Sequence, residues 1–191
     1  MATEGQGGTT SLVDLTPTLV ERLRDGDEDA AGLLDRLYRE KLICFCHGYL
    51  GGRDEAEDVV QEVFCRVLEN TTIPRNFRAW IYKISRNRCL DIRRSRGRRR
   101  DDGTLPTGSH LDAQLTGHLT GLVRGERWER LRELVEALPA DQREVLHLRY
   151  AEGLSRAEIA EVLDLDEKRV KSRLYHGLEK LRAHDSLAGG S

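Results

Sequence analysis

The sequence predicts an all-α protein, built as two small helical domains joined by a flexible linker. Apolar residues recur three and four positions apart through most of the 191-residue chain, which is the spacing of amphipathic helices. No stretch alternates apolar and polar residues over a useful strand length. A segment rich in Gly, Thr and Ser separates the two helical regions. We therefore expect a disordered extension at 1–14, a first domain at 15–96, a linker at 97–123, a second domain at 124–185 and a disordered tail at 186–191.

The first domain is predicted to contain three helical regions. Residues 18–50 carry helical apolar spacing, which two glycines then interrupt. Residues 54–70 form a strongly periodic helix with one apolar face. A proline-containing loop at 70–76 precedes a third helix, from Phe77 to about Arg96.

The second domain is predicted to end in a helix–turn–helix at 153–182, the geometry that places a helix in the major groove of DNA. Two helices precede it, from Trp128 to Leu138 and from residue 139 or 141 to Tyr150. A plain helical hairpin with a solvated charged face is the alternative interpretation of the motif.

The helix–turn–helix can be built from local signals. Ser155 and Glu158 form a capping box at the start of the first helix. Asp164 tolerates the left-handed conformation that the turn needs, and Asp166 is a good N-cap for the second helix. That helix should bury Val170, Leu174, Leu178 and Leu181, and expose Arg169, Ser172, Arg173, His176 and Lys180.

Charge is strongly segregated although the net charge is only −2. Residues 54–69 hold six acids and one base, whereas residues 75–100 hold eleven bases and one acid. Such a pair of surfaces indicates two different partners, one of them polyanionic. On the basic helix, Lys83, Asn87 and Arg94 form a stripe suited to a nucleic-acid strand. Arg88 and Asp91 are predicted to form an internal ion pair.

Other classes of site lack support in the sequence. The four cysteines are predicted to be buried, reduced thiols, because Cys44 and Cys46 on one helix would point about 160° apart and no CxxC pair is present. No cofactor or metal is expected, and an enzyme is disfavoured, since there is no phosphate-binding Gly loop and no HExxH. No apolar run has the ~20 residues of a membrane span, and no secretory signal is present, so we expect a cytoplasmic protein.

Three runs, in this order, resemble the bacterial sigma-70 family, specifically its minimal extracytoplasmic-function (ECF) class, which keeps only sigma domains 2 and 4. They are DEAEDVVQEVFCRVLEN, NFRAWIYKISRNRCLDIRR and LPADQREVLHLRYAEGLSRAEIAEVLDLDEKRVKSRL. The resemblance covers roughly residues 17–183. It implies a protein that binds core RNA polymerase, directs it to promoters and opens the DNA.

The resemblance also implies roles for individual residues. The acidic helix would contact the clamp helices of the largest polymerase subunit through Asp58, Gln61 and Glu62. The −10 element would be bound by Thr71, Thr72, Lys83, Asn87 and Arg94, and the −35 element by Lys168, Arg169, Lys171, Ser172, Arg173 and His176. The second domain would also dock on the polymerase flap, and an anti-sigma protein is implied as a further partner.

The sequence departs from the family motif at four positions, and one alternative function remains. Asp164, Asp166, Lys168 and Arg169 depart from the usual Leu-Gly-Ile-Pro and Gly-Thr-Val of the family, so the −35 sequence does not follow from the motif. The alternative function is a helix–turn–helix regulator that binds duplex DNA without polymerase. It leaves the acidic helix and the separate basic helix unexplained.

Overall fold

The computed structural model describes residues 12–70, 72–97 and 133–188, with side chains from 16 to 183 within those ranges. The described residues are helical and contain no strand, as predicted. Thr71, Trp128 and almost all of the predicted linker lie outside them. The helices are α1 (Leu12–Arg24), α2 (Ala30–Leu50), α3 (Arg53–Glu69), α4 (Phe77–Gly97), α5 (Ala140–Leu146), α6 (Arg156–Leu163) and α7 (Glu167–Ala188).

Glycines in the left-handed conformation separate the early helices. The region predicted as one periodic stretch at 18–50 divides into α1 and α2 at a turn that contains Gly26, with φ of 68°. Gly51 ends α2 with φ of 78°, and its N–H donates to the carbonyl of His47 at 2.8 Å. Helix α1 begins at Leu12, inside the predicted extension, and α7 continues to Ala188, inside the predicted tail.

The helix–turn–helix has the predicted local structure. The backbone N–H of Glu158 donates to Ser155 Oγ at 3.2 Å, and the N–H of Ser155 donates to Glu158 Oε2 at 2.7 Å, which completes the capping box. Asp164 adopts the left-handed conformation with φ of 54°. The N–H of Arg169 donates to Asp166 Oδ1 at 2.8 Å, so Asp166 caps α7.

Aromatic residues fill the core of the first half of the molecule (residues 12–97). Tyr38 meets Phe77 edge to face at 5.6 Å between ring centroids, and Phe45 meets Tyr82 in the same way at 5.2 Å. The Tyr38 hydroxyl also shares a 2.8 Å hydrogen bond with Thr16 of α1. These contacts fix α1 and α4 against α2.

The second half (residues 133–188) packs directly on the first. Its α5 continues through a π-helical turn, His147–Ala151, whose His147 ring stacks on Phe45 of α2 at 5.8 Å. Buried residues of both halves form one continuous apolar cluster, to which the second half contributes Val135, Leu146, Leu148, Leu154 and Val162 among others. The two predicted domains are therefore docked against each other in this structure.

Candidate nucleic-acid interface

The acidic helix α3 presents its predicted polymerase-binding residues on the surface. Asp58, Gln61 and Glu62 are all exposed. Within the described part of the chain Asp58 makes no side-chain hydrogen bond or ion pair, whereas Glu62 Oε2 accepts from Arg88 Nε at 2.7 Å. Glu62 therefore joins α3 to α4 as well as facing solvent.

That contact corrects the predicted internal pair between Arg88 and Asp91. Arg88 extends across to Glu62 of α3, and Asp91 is instead 3.2 Å from Arg94 on its own helix. The reason is that α3 packs beside α4, so a long guanidinium side chain finds a carboxylate on the neighbouring helix.

The predicted −10 residues are only partly available. Thr72 is exposed, and its N–H donates to Asn70 Oδ1 at 3.1 Å; its neighbour Thr71 lies outside the described residues. Asn87 and Arg94 are exposed on α4. Lys83, which should contact the same strand, is instead ion-paired with Asp164 in the turn of the helix–turn–helix.

The predicted −35 residues mostly form an open surface on α7. Lys168, Arg169, Lys171, Ser172 and His176 are exposed. Arg173 differs, because it is half-buried and its Nε lies 3.1 Å from Asp141 of α5. Five of the six side chains therefore face solvent, whereas Arg173 holds α7 against α5.

A buried carboxylate of the second half, Glu144, joins the halves. It accepts hydrogen bonds from the Tyr49 hydroxyl and from Arg86 Nε, the latter at 2.7 Å. Burial, and then the negative charge of Glu144, raise the pKa of Tyr49 well above its usual value. Burial disfavours the charge on Arg86, but the hydrogen bond and charge of Glu144 outweigh it and raise the pKa of Arg86.

A second buried carboxylate, Glu152, follows the π-helical turn. It accepts from the Tyr82 hydroxyl and lies 3.1 Å from His147 Nε2. Burial, and then Glu152, raise the pKa of Tyr82 well above its usual value. Arg78 completes the cluster, since its guanidinium donates to the Glu152 carbonyl at 3.1 Å and lies 3.5 Å from Glu158.

The contact region between the first and second halves, here called the junction, has two further contacts at its exposed edge. Asn76 Nδ2 donates to Glu161 Oε2 at 2.7 Å, and Lys83 contacts Asp164. The sequence did not indicate that these four carboxylates, Glu144, Glu152, Glu161 and Asp164, would contact the first half. A usable signal was that Glu144 directly precedes Val145 and Glu152 directly follows Ala151, because a charged side chain next to a buried apolar position needs a partner.

The described residues also bear on three further predictions, which concern metal binding, membrane spans and the cysteines. Within these residues no cluster of three or more His, Cys, Asp or Glu side chains could hold a metal ion, and none of their helices has the combination of length and hydropathy that a membrane span requires. All four cysteines are free thiols. Cys46 and Cys89 are buried, as expected, but Cys44 is only partly buried, and Cys65 is exposed because it lies on the solvent face of α3.

Two family models match this chain. Sigma-70 region 2 matches residues 34–99, and sigma-70 region 4 matches residues 128–181. The first model covers α3 and α4, and the second covers the helix–turn–helix.

Curated relatives match along most of their length. The ECF RNA polymerase sigma factor SigW of Bacillus subtilis is 30% identical over 182 residues, which cover 85% of this chain and 92% of that protein. The ECF RNA polymerase sigma-E factor of Escherichia coli is 32% identical over 179 residues, covering 85% of this chain and 90% of the relative.

Two solved structures share the fold. The co-crystal structure of the sigma factor RpoE with the anti-sigma factor NepR from Bartonella quintana matches with a TM-score of 0.60 and 22% identity, over 85% of this chain and 99% of the other. The structure of CnrH with the cytosolic domain of CnrY matches with a TM-score of 0.58 and 24% identity, over 91% and 97% of the two chains.

Proposed function

The chain belongs to the sigma-70 family of RNA polymerase sigma factors, in its ECF class, and we propose that its first half binds the −10 element while its second half binds the −35 element. A sigma factor is a non-catalytic initiation factor that binds core RNA polymerase and directs it to promoters. We assign residues 15–96 to sigma domain 2 and residues 124–185 to sigma domain 4. The observation that carries the proposal is the presence, on one chain, of a cationic helix and a separate helix–turn–helix.

For the −10 element we propose the surface at the start and along the exposed side of α4. Thr71 and Thr72 would line a pocket for an extruded base, and Lys83, Asn87 and Arg94 would hold the strand beside it. Extruding a base costs a few kcal/mol, which pocket contacts and phosphate attraction offset. The exposure of Thr72, Asn87 and Arg94 supports this assignment.

For the −35 element we propose insertion of α7 into the major groove. The first turns of a recognition helix lie closest to the base edges, and here they carry Lys168, Arg169, Lys171 and Ser172, all exposed. Arg and Lys suit guanine edges and phosphates, and His176 one turn further on suits either. Arg173 would add a phosphate contact if its pairing with Asp141 is given up.

For polymerase binding we propose Asp58, Gln61 and Glu62 as contacts to the clamp helices of the largest subunit, with the second half docking on the flap. Their position on one exposed side of α3 supports this assignment. Because core polymerase is in the bacterial cytoplasm, we place the protein there too. An anti-sigma protein is the further partner that we expect from the class.

The proposal is tested by adding the purified chain to core RNA polymerase and measuring transcripts from a genomic promoter library. We expect specific initiation with core polymerase and weak binding of duplex promoter DNA by the free chain. Tight duplex binding by the free chain, with no polymerase-dependent transcripts, would instead establish the alternative, a helix–turn–helix regulator that acts without polymerase.

Asp58→Lys tests the polymerase surface in the same assay. A lysine at an exposed position reverses the charge without disturbing the core, so we expect at least tenfold weaker pull-down of core polymerase and unchanged thermal stability. Glu28→Lys, at an exposed site in the turn between α1 and α2, is the charge-matched control and should bind normally. Equal binding by both variants would contradict the assignment of α3.

A further inference from the structure

Acidic side chains of α6 and its turn occupy part of the proposed −10 surface. Asp164 contacts the ammonium group of Lys83, and Glu161 accepts a hydrogen bond from Asn76, immediately before α4, at 2.7 Å. Both contacts therefore place a carboxylate of the second half at the surface that we propose for the −10 strand.

These edge contacts are weak by themselves. The Asp164 side chain is 70% exposed, and an ion pair in such a position contributes little stability because water screens it. The buried contacts of Glu144 and Glu152 are what hold α5 and α6 in place over α4. Glu161 and Asp164 can compete with DNA because the buried contacts of Glu144 and Glu152 hold the halves together. The two exposed carboxylates therefore stay at a high effective concentration next to α4.

The junction is also of a kind that can separate. Its centre contains ionised and hydroxyl groups as well as apolar side chains: Glu144 with Arg86 and Tyr49, and Glu152 with Tyr82. Burying such charges costs desolvation energy, and separation of the halves returns that hydration. Arg78 Nε, which is buried without a hydrogen-bond partner among the described residues, would also regain water.

We infer that the second half is an intramolecular competitor for the −10 strand, in which Glu161 and Asp164 take the place of DNA phosphates, so that α4 binds the strand only after the halves separate. The inference rests on the proposed function, because it concerns the regulation of the same surface of α4. It predicts that affinity for single-stranded DNA falls in proportion to the fraction of closed molecules.

The first test neutralises the competing acids. We expect the full chain with Glu161→Gln and Asp164→Asn to bind a fluorescein-labelled 20-nucleotide single-stranded DNA about three- to tenfold more tightly than the wild type. Both changes keep the shape of the side chain, and asparagine tolerates the left-handed conformation at 164. Asp25→Asn with Glu28→Gln removes the same charge at two exposed sites in the turn between α1 and α2, and it should bind like the wild type.

The second test holds the halves together. In a chain with Cys44→Ser and Cys65→Ser, the substitutions Arg75→Cys and Ala157→Cys are joined by a thiol-cleavable bis-maleimide linker, which leaves Glu161 and Asp164 in place. Arg75 is adjacent to Asn76, Ala157 lies one helical turn before Glu161, and both are exposed. The linked chain should lose most of its affinity for the single-stranded DNA and recover it when the linker is cleaved. Equal binding before and after cleavage would overturn the inference, as would equal affinities of the two charge-neutralised chains.

The outcomes separate the inference from the proposed function. Suppose that the wild type initiates transcription with core polymerase but the linked chain binds single-stranded DNA as tightly as the cleaved chain. The inference of an intramolecular competitor is then wrong, and the proposed sigma function stands. If the wild type gives no polymerase-dependent transcripts, the proposed function falls whatever the binding assays show.

Discussion

Gly177 of α7 packs closely against Leu146 of α5. A Cβ atom at this position would lie 2.9 Å from Leu146 Cδ1 and 3.4 Å from Leu146 Cγ. Leu146 is only 1% exposed, so it has little room to move away. The glycine therefore permits the close packing of the helix–turn–helix on α5, although glycine is a poor residue for a helix interior.

Gly177→Ala is expected to destabilise the protein. Overpacking costs about 1–3 kcal/mol, which exceeds the gain of up to about 1 kcal/mol in helix propensity. Gly32→Ala is the matched control, because a Cβ there meets only Arg36 Nη1, at 3.5 Å, and it should stabilise by roughly 0.5–1 kcal/mol. Urea unfolding of both variants measures the difference; a gain in stability at both positions would show that Leu146 can yield.

Asp164, in the turn of the helix–turn–helix, has two structural roles. Asp164 forms the left-handed turn through its backbone and contacts Lys83 through its carboxylate. The backbone role follows from the short polar side chain, and the sequence predicted it. The contact with Lys83 did not follow, because the two residues are 81 positions apart and meet only when the halves dock.

At the scale of elements, α7 combines DNA recognition with packing. Its apolar side buries Val170 and Leu174 as predicted, but Leu178 and Leu181 are only partly buried. Its opposite side exposes most of the proposed −35 residues. Arg173 links the two roles through its ion pair with Asp141. A change at Arg173 would therefore alter both DNA binding and the fit of α7 against α5, which makes it a poor probe of recognition.

The exposed residues of α7 give a cleaner test. We expect Arg169→Ala with His176→Ala to change the preferred −35 sequence, with a loss of about 1–3 kcal/mol for each base contact removed, while −10 opening stays intact. Lys180→Ala, further along α7 and also exposed, is the control for general loss of charge. Transcription from a library varied at both elements measures the preference, and permanganate footprinting measures opening. A changed −10 preference with an unchanged −35 preference would exchange the assignments of α4 and α7.

At the scale of the whole molecule, the docked arrangement depends on protonated phenols. Tyr49 and Tyr82 donate to Glu144 and Glu152 across the junction, and their pKa values are raised by burial and by those carboxylates. A raised pKa in the folded state means that the neutral phenol stabilises the fold below pH ~10, the value of an unfolded tyrosine. That stability is lost as the pH rises above ~10, since the unfolded chain then releases protons that the folded one retains.

We therefore expect the free energy of unfolding to fall steeply with pH above ~10. In Tyr49→Phe the free energy of unfolding should fall less steeply with pH, because no phenol remains there to ionise. Glu144 keeps Arg86 as its partner in this variant. Tyr175→Phe, at a site that is 60% exposed, should leave the fall unchanged. Urea unfolding between pH 8 and 11 measures the slope, and identical slopes for all three chains would refute the role of the junction.

Local patterns in the sequence predict most of the helices, the capping box, the turn at Asp164 and the resemblance to the ECF sigma factors. These features depend on spacings within one or two helical turns or on motifs along one run of residues. Such patterns can be recognised without knowing which parts of the chain pack together. They also give the candidate residues, because charge and polarity on a helix face follow from the same spacing.

Which charged groups face each other depends on how the helices pack. Arg88 with Glu62, Arg86 with Glu144, and Lys83 with Asp164 join residues 26, 58 and 81 positions apart. The first pair depends on how α3 packs beside α4, and the other two depend on how α5, α6 and the turn after α6 dock on α4. No local pattern specifies either arrangement. The burial of Glu144 and Glu152 depends on the same docking, because a carboxylate is stable inside a protein only where another part of the chain supplies its hydrogen bonds.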